Sequence, residues 1–244
     1  MAIEGGSHWF EEIADHLDSA YLRYSFTKGT VQEVDRVVEW LGLKPGMTVL
    51  DVGCGPGRHS HELASRGIVT HGIDISQTFV DLARKSAPDG ATFERMDARA
   101  MTFVDAYDAV ICLCQGAFGL MTADGHDADV LQGIGRALKP GGGLALSAFN
   151  SYFAVKYHEE ADFDADGGVS HEKTEVRNPS GVPKIVDLWT GCYTPRELRL
   201  MLRDAGFLVR NIFSVEPGAY AANPPSIETP EYLVVAFTPL PDGK

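Results

Sequence analysis

Val49-Leu50-Asp51-Val52-Gly53-Cys54-Gly55-Pro56-Gly57 is the stretch on which the fold turns. The apolar run Met47–Gly53 carries a carboxylate near its end and passes into glycines spaced G-x-G-x-G, and a helical pattern follows to about Arg66. Glycines after a strand let the chain turn sharply and let a ligand approach the main chain. The helix N-terminus behind them is usually read as an anion site. Outward from this corner, short apolar runs keep alternating with helices. Strands are expected at Ile68–Asp74, Ala91–Asp97, Tyr107–Leu113 and Gly143–Asn150. Ser76 is placed to cap a helix running to about Ala87, and another helix should end at Leu138, before Lys139-Pro140-Gly141-Gly142. Such alternation argues for an α/β fold, a doubly wound parallel sheet covered on both faces. Ligands of such sheets sit outside the carboxyl ends of the strands, where strand order reverses. That places Asp51–Gly57, Asp74, Asp97 and Leu113–Gln115 around one crevice.

The flanks read differently. Residues 7–41 look helical, with Thr30 and Glu33 spaced as a capping box and Val31, Val34, Val37, Val38 and Leu41 repeating at helical spacing. After Asn150 the chain turns polar and acidic to residue 192, with Val169–Val176 and Val182–Trp189 spaced to pair around an Asn178–Gly181 turn. Thr194-Pro195-Arg196-Glu197 then opens a helix, and Phe207–Val215 and Glu231–Thr238 read as the last two strands.

Composition narrows the partners. The 244 residues carry a formal net charge of -13, which argues against a nucleic acid or an anionic membrane as partner, since these call for a basic stripe. No apolar stretch approaches the roughly 18 residues of a membrane span. No leader is visible at the start. Cys54, Cys112, Cys114 and Cys192 form no C-x-x-C pair, so a reduced, cytoplasmic protein is expected. Cys112 and Cys114, two apart in a strand, should share a face, and with Cys54 they read as packing residues.

Two ligands compete for the glycine corner. A dinucleotide would lay its pyrophosphate on a G-x-G-x-x-G turn. Here the spacing is shorter, and Asp51 stands two residues before the first glycine, where it would oppose a phosphate. It suits a ligand with an ammonium and a sulfonium and no phosphate, which describes S-adenosylmethionine. Asp74 ends the second strand, where a carboxylate can accept both ribose hydroxyls, a device that nicotinamide dinucleotide sites share. Asp97 ends the third, placed to accept from an adenine amine while Ala98 offers its N–H. Ile75 and Leu113 flank these positions, and Tyr24 supplies an aromatic face for the sulfonium.

The ordered set Val49–Gly57, Gly72-Ile73-Asp74-Ile75-Ser76, Arg95-Met96-Asp97-Ala98, Tyr107-Asp108-Ala109-Val110 and Leu138-Lys139-Pro140-Gly141-Gly142 resembles the motifs of class I S-adenosylmethionine-dependent methyltransferases of small-molecule type. The resemblance covers residues 47–150 strongly and 194–238 more loosely. It implies a seven-stranded, mostly parallel sheet in the order 3-2-1-4-5-7-6 with the last strand antiparallel. It implies cofactor contacts at Asp51, Gly53, Cys54, Gly55, Gly57, Asp74, Ile75, Asp97, Ala98, Leu113 and Tyr24. It also implies one domain over residues 1–244, with 1–41 as a helical lid and the insert 151–192 as an antiparallel cap on the acceptor side. The chain departs from the subclass that methylates nucleobase or glutamine amines, because Leu113-Cys114-Gln115-Gly116-Ala117-Phe118 stands where an Asn/Asp-Pro-Pro-Tyr motif would be. No acid-acid-Asn set points to magnesium, so no metal is expected.

The expected reaction is methyl transfer to O or N of a small-molecule acceptor by in-line displacement, in a monomer or homodimer. Alignment and desolvation supply most of the catalysis, and a base is needed more for a hydroxyl than for an amine. No residue is singled out as catalytic; His8, Tyr21, His158 and His171 are the weak candidates for a base. The acids of the insert, Glu159, Glu160, Asp162, Asp164, Asp166, Glu172 and Glu175, against Lys156, Lys173 and Arg177, suit a cationic or amine acceptor, and a solvated loop would show the same balance. An NAD(P)-dependent oxidoreductase and a non-catalytic S-adenosylmethionine-binding module stay open as alternatives.

Overall fold

Five parallel strands form the centre of the sheet: β1 (Thr48–Val52), β2 (Val69–Asp74), β3 (Ala91–Arg95), β4 (Tyr107–Cys112) and β5 (Leu138–Asn150). They run in the order β3-β2-β1-β4-β5, so strand order reverses between β1 and β4. β10 (Glu231–Phe237) lies antiparallel between β5 and β9 (Leu208–Val215), with Glu231 opposite Phe149. Counting these seven alone gives the expected order 3-2-1-4-5-7-6. The computed structural model describes residues 8–114, 116–120, 126–157 and 161–241.

Each strand alternates its side chains between two faces. Val49, Ile111, Ala145 and Val235 pack on one face against Val34, Val37 and Leu41 of α2 (Thr30–Leu41). Leu50, Val110, Leu144 and Val234 pack on the other, against Val130 and Ile134 of α5 (His126–Ala137) and Leu198 and Leu202 of α7 (Pro195–Asp204). Burying such aliphatic side chains contributes about 1.5–3 kcal/mol each. This two-sided core fixes the carboxyl ends of β1, β2 and β4 side by side. α3 (Arg58–Ser65) and α4 (Gln77–Lys85) follow β1 and β2, and Ser76 Oγ caps α4 by accepting from Phe79 N. Thr194 and Glu197 form the expected capping box on α7.

A roof covers those strand ends. Its first part is α1 (Trp9–Leu17) followed by two short 3-10 turns, Asp18–Arg23 and Ser25–Thr27. Its second part is the insert: α6 (Ser151–Tyr157), β6 (Asp162–Asp164), β7 (Val169–Arg177) and β8 (Pro183–Tyr193). β7 and β8 form the expected hairpin, whose turn is held by Asn178 Oδ1 accepting from Ser180 N and Val182 N. β8 joins the main sheet by pairing Cys192 and Tyr193 with Phe149 and Asn150. Ile13, Ala14 and Leu17 of α1 pack with Phe79, Val176 and Val186, which ties both parts of the roof to α4.

Three expectations need correction. Residues 7–41 are not continuously helical: Asp18, with φ 45, ends α1, and only the segment before Thr30 belongs to the roof. Glu33 does not cap α2; Gly29 is its N-cap without a side-chain bond, because Glu33 is buried in an ion-pair network. Cys112 and Cys114 do not share a face, because β4 ends at Cys112 and Cys114 turns left-handed at φ 52. α6 carried no sequence signal strong enough to read; Asn150 Oδ1 starts it by accepting from Tyr152 N and Phe153 N. Among the described residues no helix is long and apolar enough to cross a membrane.

Candidate functional site

The glycine corner is a backbone-to-backbone contact. Gly53, Gly55 and Gly57 take φ of 70, 53 and 82, the left-handed region that favours glycine. A Cβ on Gly53 would stand 2.0 Å from the carbonyl carbon of Gly116, and one on Gly116 would stand 2.2 Å from Gly53 O. The loops after β1 and β4 therefore touch through two glycines. Gly57 serves packing: its Cβ would meet His61 Nε2 at 2.9 Å and Ala83 Cβ at 3.0 Å. Cys54 packs with Val80, Ala83 and Phe93, and burial pushes its thiol well above the usual range.

The three strand-end acids have three environments. Asp74 Oδ2 accepts from Gly55 N and Oδ1 from Ser76 N, both at 2.8 Å. Burial raises its pKa to about 6, against those two hydrogen bonds, and the charges of Asp51 and Glu11 push the same way as burial. Asp51 is 1% exposed, and its Oδ2 accepts from Ser60 Oγ of α3 at 2.7 Å. Burial raises its pKa too. Asp97 caps the 3-10 turn Ala98–Ala100 and is gripped by the Arg99 guanidinium, with Nε at 2.9 Å and Nη2 at 2.6 Å. Burial would raise that carboxyl, but the hydrogen bonds and charge of Arg99 hold it below the usual value.

Two cavities meet at Gly53, Gly116 and Asp74, which line both. The larger, about 370 Å³, lies between the sheet and the roof. Phe10, Tyr21, Tyr24, Phe26, Phe79 and Phe149 give it an aromatic wall. The smaller, about 20 Å³, is a slot among Ile75, Met96, Asp97 and Ala98, closed by His8, Phe10 and Leu120.

Beside the corner lies a buried network. Glu33, with no exposed surface, accepts from Arg58 Nη1 at 2.5 Å, His59 Nε2 at 2.7 Å and Gly218 N at 2.7 Å. Arg58 Nη2 reaches Cys114 Sγ at 2.7 Å. Burial opposes ionisation of Glu33, but its bonds to His59 and Arg58 outweigh this and bring its pKa down to about 2. Burial, then the charge of Arg58, lowers the pKa of His59, so it donates its Nε2–H as a neutral ring. Glu33, His59 and Cys114 bring ligand-type atoms within 4.8 Å of one another. The Arg58 guanidinium bonds two of the three, so a cation already meets this donor set. The network ties α2, α3 and the loop after β4 together.

Of the cofactor contacts the sequence predicts, Gly53, Gly55, Asp74 and Tyr24 line the larger cavity. Asp74, Ile75, Asp97 and Ala98 line the smaller one. Asp51, Cys54, Gly57 and Leu113 line neither; Leu113 is buried in the core with Val49 and Ile111. His8 closes the slot, and its pKa falls through burial and the charge of Arg99. Tyr21 lies over the corner, its Cε1 3.9 Å from where a Gly55 Cβ would be, and burial pushes its hydroxyl far above the range of a useful base. His171 stands outside both cavities, stacked on Trp189 and bonded to Asp187 at 2.8 Å. His158 and Gln115 lie outside the described residues. Sequence reading put Cys114 at the crevice and missed Gly116, Phe149 and Glu231 as lining residues. The glycine at 116 was the one available signal.

A methyltransferase-domain family model matches residues 49–142. The cypemycin N-terminal methyltransferase of a Streptomyces species is 28% identical over 78% of this chain and 82% of its own length. A ubiquinone biosynthesis O-methyltransferase of Hydrogenovibrio crunogenus is 30% identical over 67% of this chain, which spans less than two thirds, 63%, of that relative. Among solved structures, the CcbJ methyltransferase from Streptomyces caelestis superposes with a TM-score of 0.73 at 16% identity, covering 96% of this chain and 97% of that one, a likeness of fold. The motif order, the sheet order and these matches agree, and the chain belongs to the class I S-adenosylmethionine-dependent methyltransferases.

Proposed function

We propose that this enzyme methylates a small molecule with an apolar body, held in the larger cavity while the cofactor spans both. One observation carries the reading: Asp74 stands where the cavities meet, each carboxylate oxygen holding one backbone N–H. A carboxylate oxygen accepts more than one bond, so both keep capacity for the ribose hydroxyls. The slot of Ile75, Met96, Asp97 and Ala98 would take the adenine, and the corner at Gly53 and Gly55 the methionine part. Asp51, bonded to Ser60 beneath the turn, would act on the ammonium through its field. The slot is far too small for a purine as it stands, so His8, Phe10 or Leu120 must move aside on binding.

The residues fit this cofactor better than a dinucleotide. Gly55 N–H, which a pyrophosphate would need, is already donated to Asp74. When bound, the cofactor supplies an electrophilic methyl and a neutral thioether leaving group. The chain's own work is alignment and exclusion of water. The roof, residues 8–28 with the β7–β8 hairpin, would close over the reactants as lid and acceptor-side cap. Four free cysteines support a reducing compartment, the cytoplasm. The strongly negative total charge supports a small-molecule partner over a nucleic acid.

Calorimetric titration of the full chain with S-adenosylmethionine, S-adenosylhomocysteine and NAD tests the reading. Binding of the first two and not the third is expected; tight binding of NAD alone would overturn it.

A further inference from the structure

The larger cavity offers nothing to pair with an anion: Asp74, Glu172, Glu175 and Glu231 are among its walls, and among the described residues no lysine, arginine or histidine is. Just outside it the sign changes. A surface groove of about 360 Å³ adjoins the cavity at Tyr24 and Glu175, which line both. The groove also holds Arg23, from the N-terminal part of the roof, and Arg177 and Asn178, from the β7–β8 hairpin. Arg23 Nη2 donates to Pro179 O at 3.1 Å, which ties the N-terminal segment to the hairpin turn. That bond occupies one donor of the guanidinium fork and leaves the others. Among the described residues no carboxylate pairs with Arg23, although acids outnumber bases 34 to 21 in this chain. Arg177 differs: it donates to Gly181 O and is neutralised by Glu175 at 2.5 Å. Asn178 Oδ1 accepts from Ser180 N and Val182 N, so what its side chain can offer a ligand is the NH2 group.

We infer that the acceptor carries a carboxylate at the end remote from its methylated atom, and that Arg23 and the Asn178 NH2 hold that carboxylate in the groove. This rests on the function proposed above and narrows its substrate class to apolar carboxylic acids. A guanidinium fork matches the two oxygens of a carboxylate, and an amide NH2 adds a neutral donor. The apolar body passes Tyr24 and lies along the aromatic wall of the larger cavity. The charge pattern fixes the direction of entry. A carboxylate inside the cavity would meet only like charge, whereas in the groove it meets the one arginine there that no acid answers. The opposite end of the acceptor is therefore the end that reaches the cofactor. Arg23 acts as a specificity residue at the mouth and takes no part in the displacement itself.

The test uses the full chain loaded with S-adenosylhomocysteine and a series of phenylalkanoates with their matched primary amides, read by calorimetry. Each acid is expected to bind about fivefold more tightly than its amide at low salt, the upper end for an exposed ion pair. That preference should shrink as salt is added. Arg23→Gln should erase it, with amide binding and S-adenosylhomocysteine affinity within about twofold of the parent. Arg203→Gln removes the same charge from exposed α7, outside the groove, and should leave the preference in place. Retained S-adenosylhomocysteine affinity also shows that each variant is folded. Amides equal to acids, no acid bound, a preference indifferent to Arg23→Gln, or an equal loss in Arg203→Gln would overturn the inference. So would an equal fall in acid and amide binding in Arg23→Gln, since Arg23 would then serve only to tie the segment to the hairpin. Failure of the parent chain to bind S-adenosylhomocysteine would instead overturn the function on which it rests.

Discussion

The floor and the roof of the site are built by different means. The floor is backbone: Gly53 against Gly116, and Asp74 accepting from Gly55 and Ser76. Its charges are buried and mutually satisfied, as in Glu33 with Arg58 and His59. The roof is side chain: aromatic rings of the N-terminal segment, and a hairpin packed on that segment through Val176 and Val186, with exposed ion pairs such as Lys184–Glu12 only at its rim. A contact between two backbones leaves no room for substitution, whereas an apolar wall tolerates exchange if volume and pattern survive. A floor of this kind suits a cofactor that never changes. A roof of that kind suits an acceptor that differs from one relative to the next.

The sharpest way to break the contrast is at the floor. Gly53→Ala puts a Cβ 2.0 Å from a backbone carbon at φ 70. We expect a loss of about 3–5 kcal/mol in urea unfolding, or no folded protein; a change under about 1 kcal/mol would mean that the two loops are free to part. Glu33→Gln comes next. It leaves Arg58 without its full counter-charge, and a cost of about 3 kcal/mol is expected.

The same residue makes a pH prediction. Glu33 has a folded-state pKa of about 2, below its unfolded value. Its contribution is therefore complete above about pH 4.5 and is lost as pH falls toward 2. Asp74 has the opposite sign: its raised pKa, about 6, makes the empty protein lose stability as pH rises from about 4 to 6. Melting curves of the parent, Glu33→Gln and Asp74→Asn across pH 3 to 7 would separate the two windows.

At the junction of floor and roof, Asp74→Ala should weaken S-adenosylmethionine binding by about 1–3 kcal/mol. Parent affinity should be level above about pH 6 and fall below it, since the ionised carboxylate is the better acceptor. Calorimetry showing no change would remove Asp74 from the site. The smallest effect is expected at the rim of the roof. Arg95→Ala breaks an ion pair with Glu11 whose arginine is 52% exposed, so stability should move by less than about 0.5 kcal/mol. A larger loss there would show that the roof is latched by charge, where the present geometry has it held by apolar packing.

Much of the floor was legible in the order of residues, and less of the roof. Strand–turn–helix alternation with glycines at the first corner leaves few topologies open, and Asp74 and Ala98 fall where the strand ends put them. Asp51 and Leu113 were placed at the right strand ends and still line no cavity, because spacing locates a Cα and leaves the side-chain direction open. Cys114 was misjudged because a single left-handed residue ended the alternation of β4. Glu231 was out of reach of any local pattern. It joins the site from the far end of the chain through antiparallel pairing with β5.

Sequence alone determined the alternation of strands and helices and the glycine corner, because these depend on periodicity and on residue types with few allowed conformations, while the sheet order came only with the resemblance of the ordered motifs to a known family. Tertiary structure alone decided which carboxylates share the larger cavity, that Glu33 caps no helix, and that Arg58 answers its charge. Those outcomes depend on contacts between residues distant in the chain. Burial sets the strength of such contacts, and burial is a property of the folded whole.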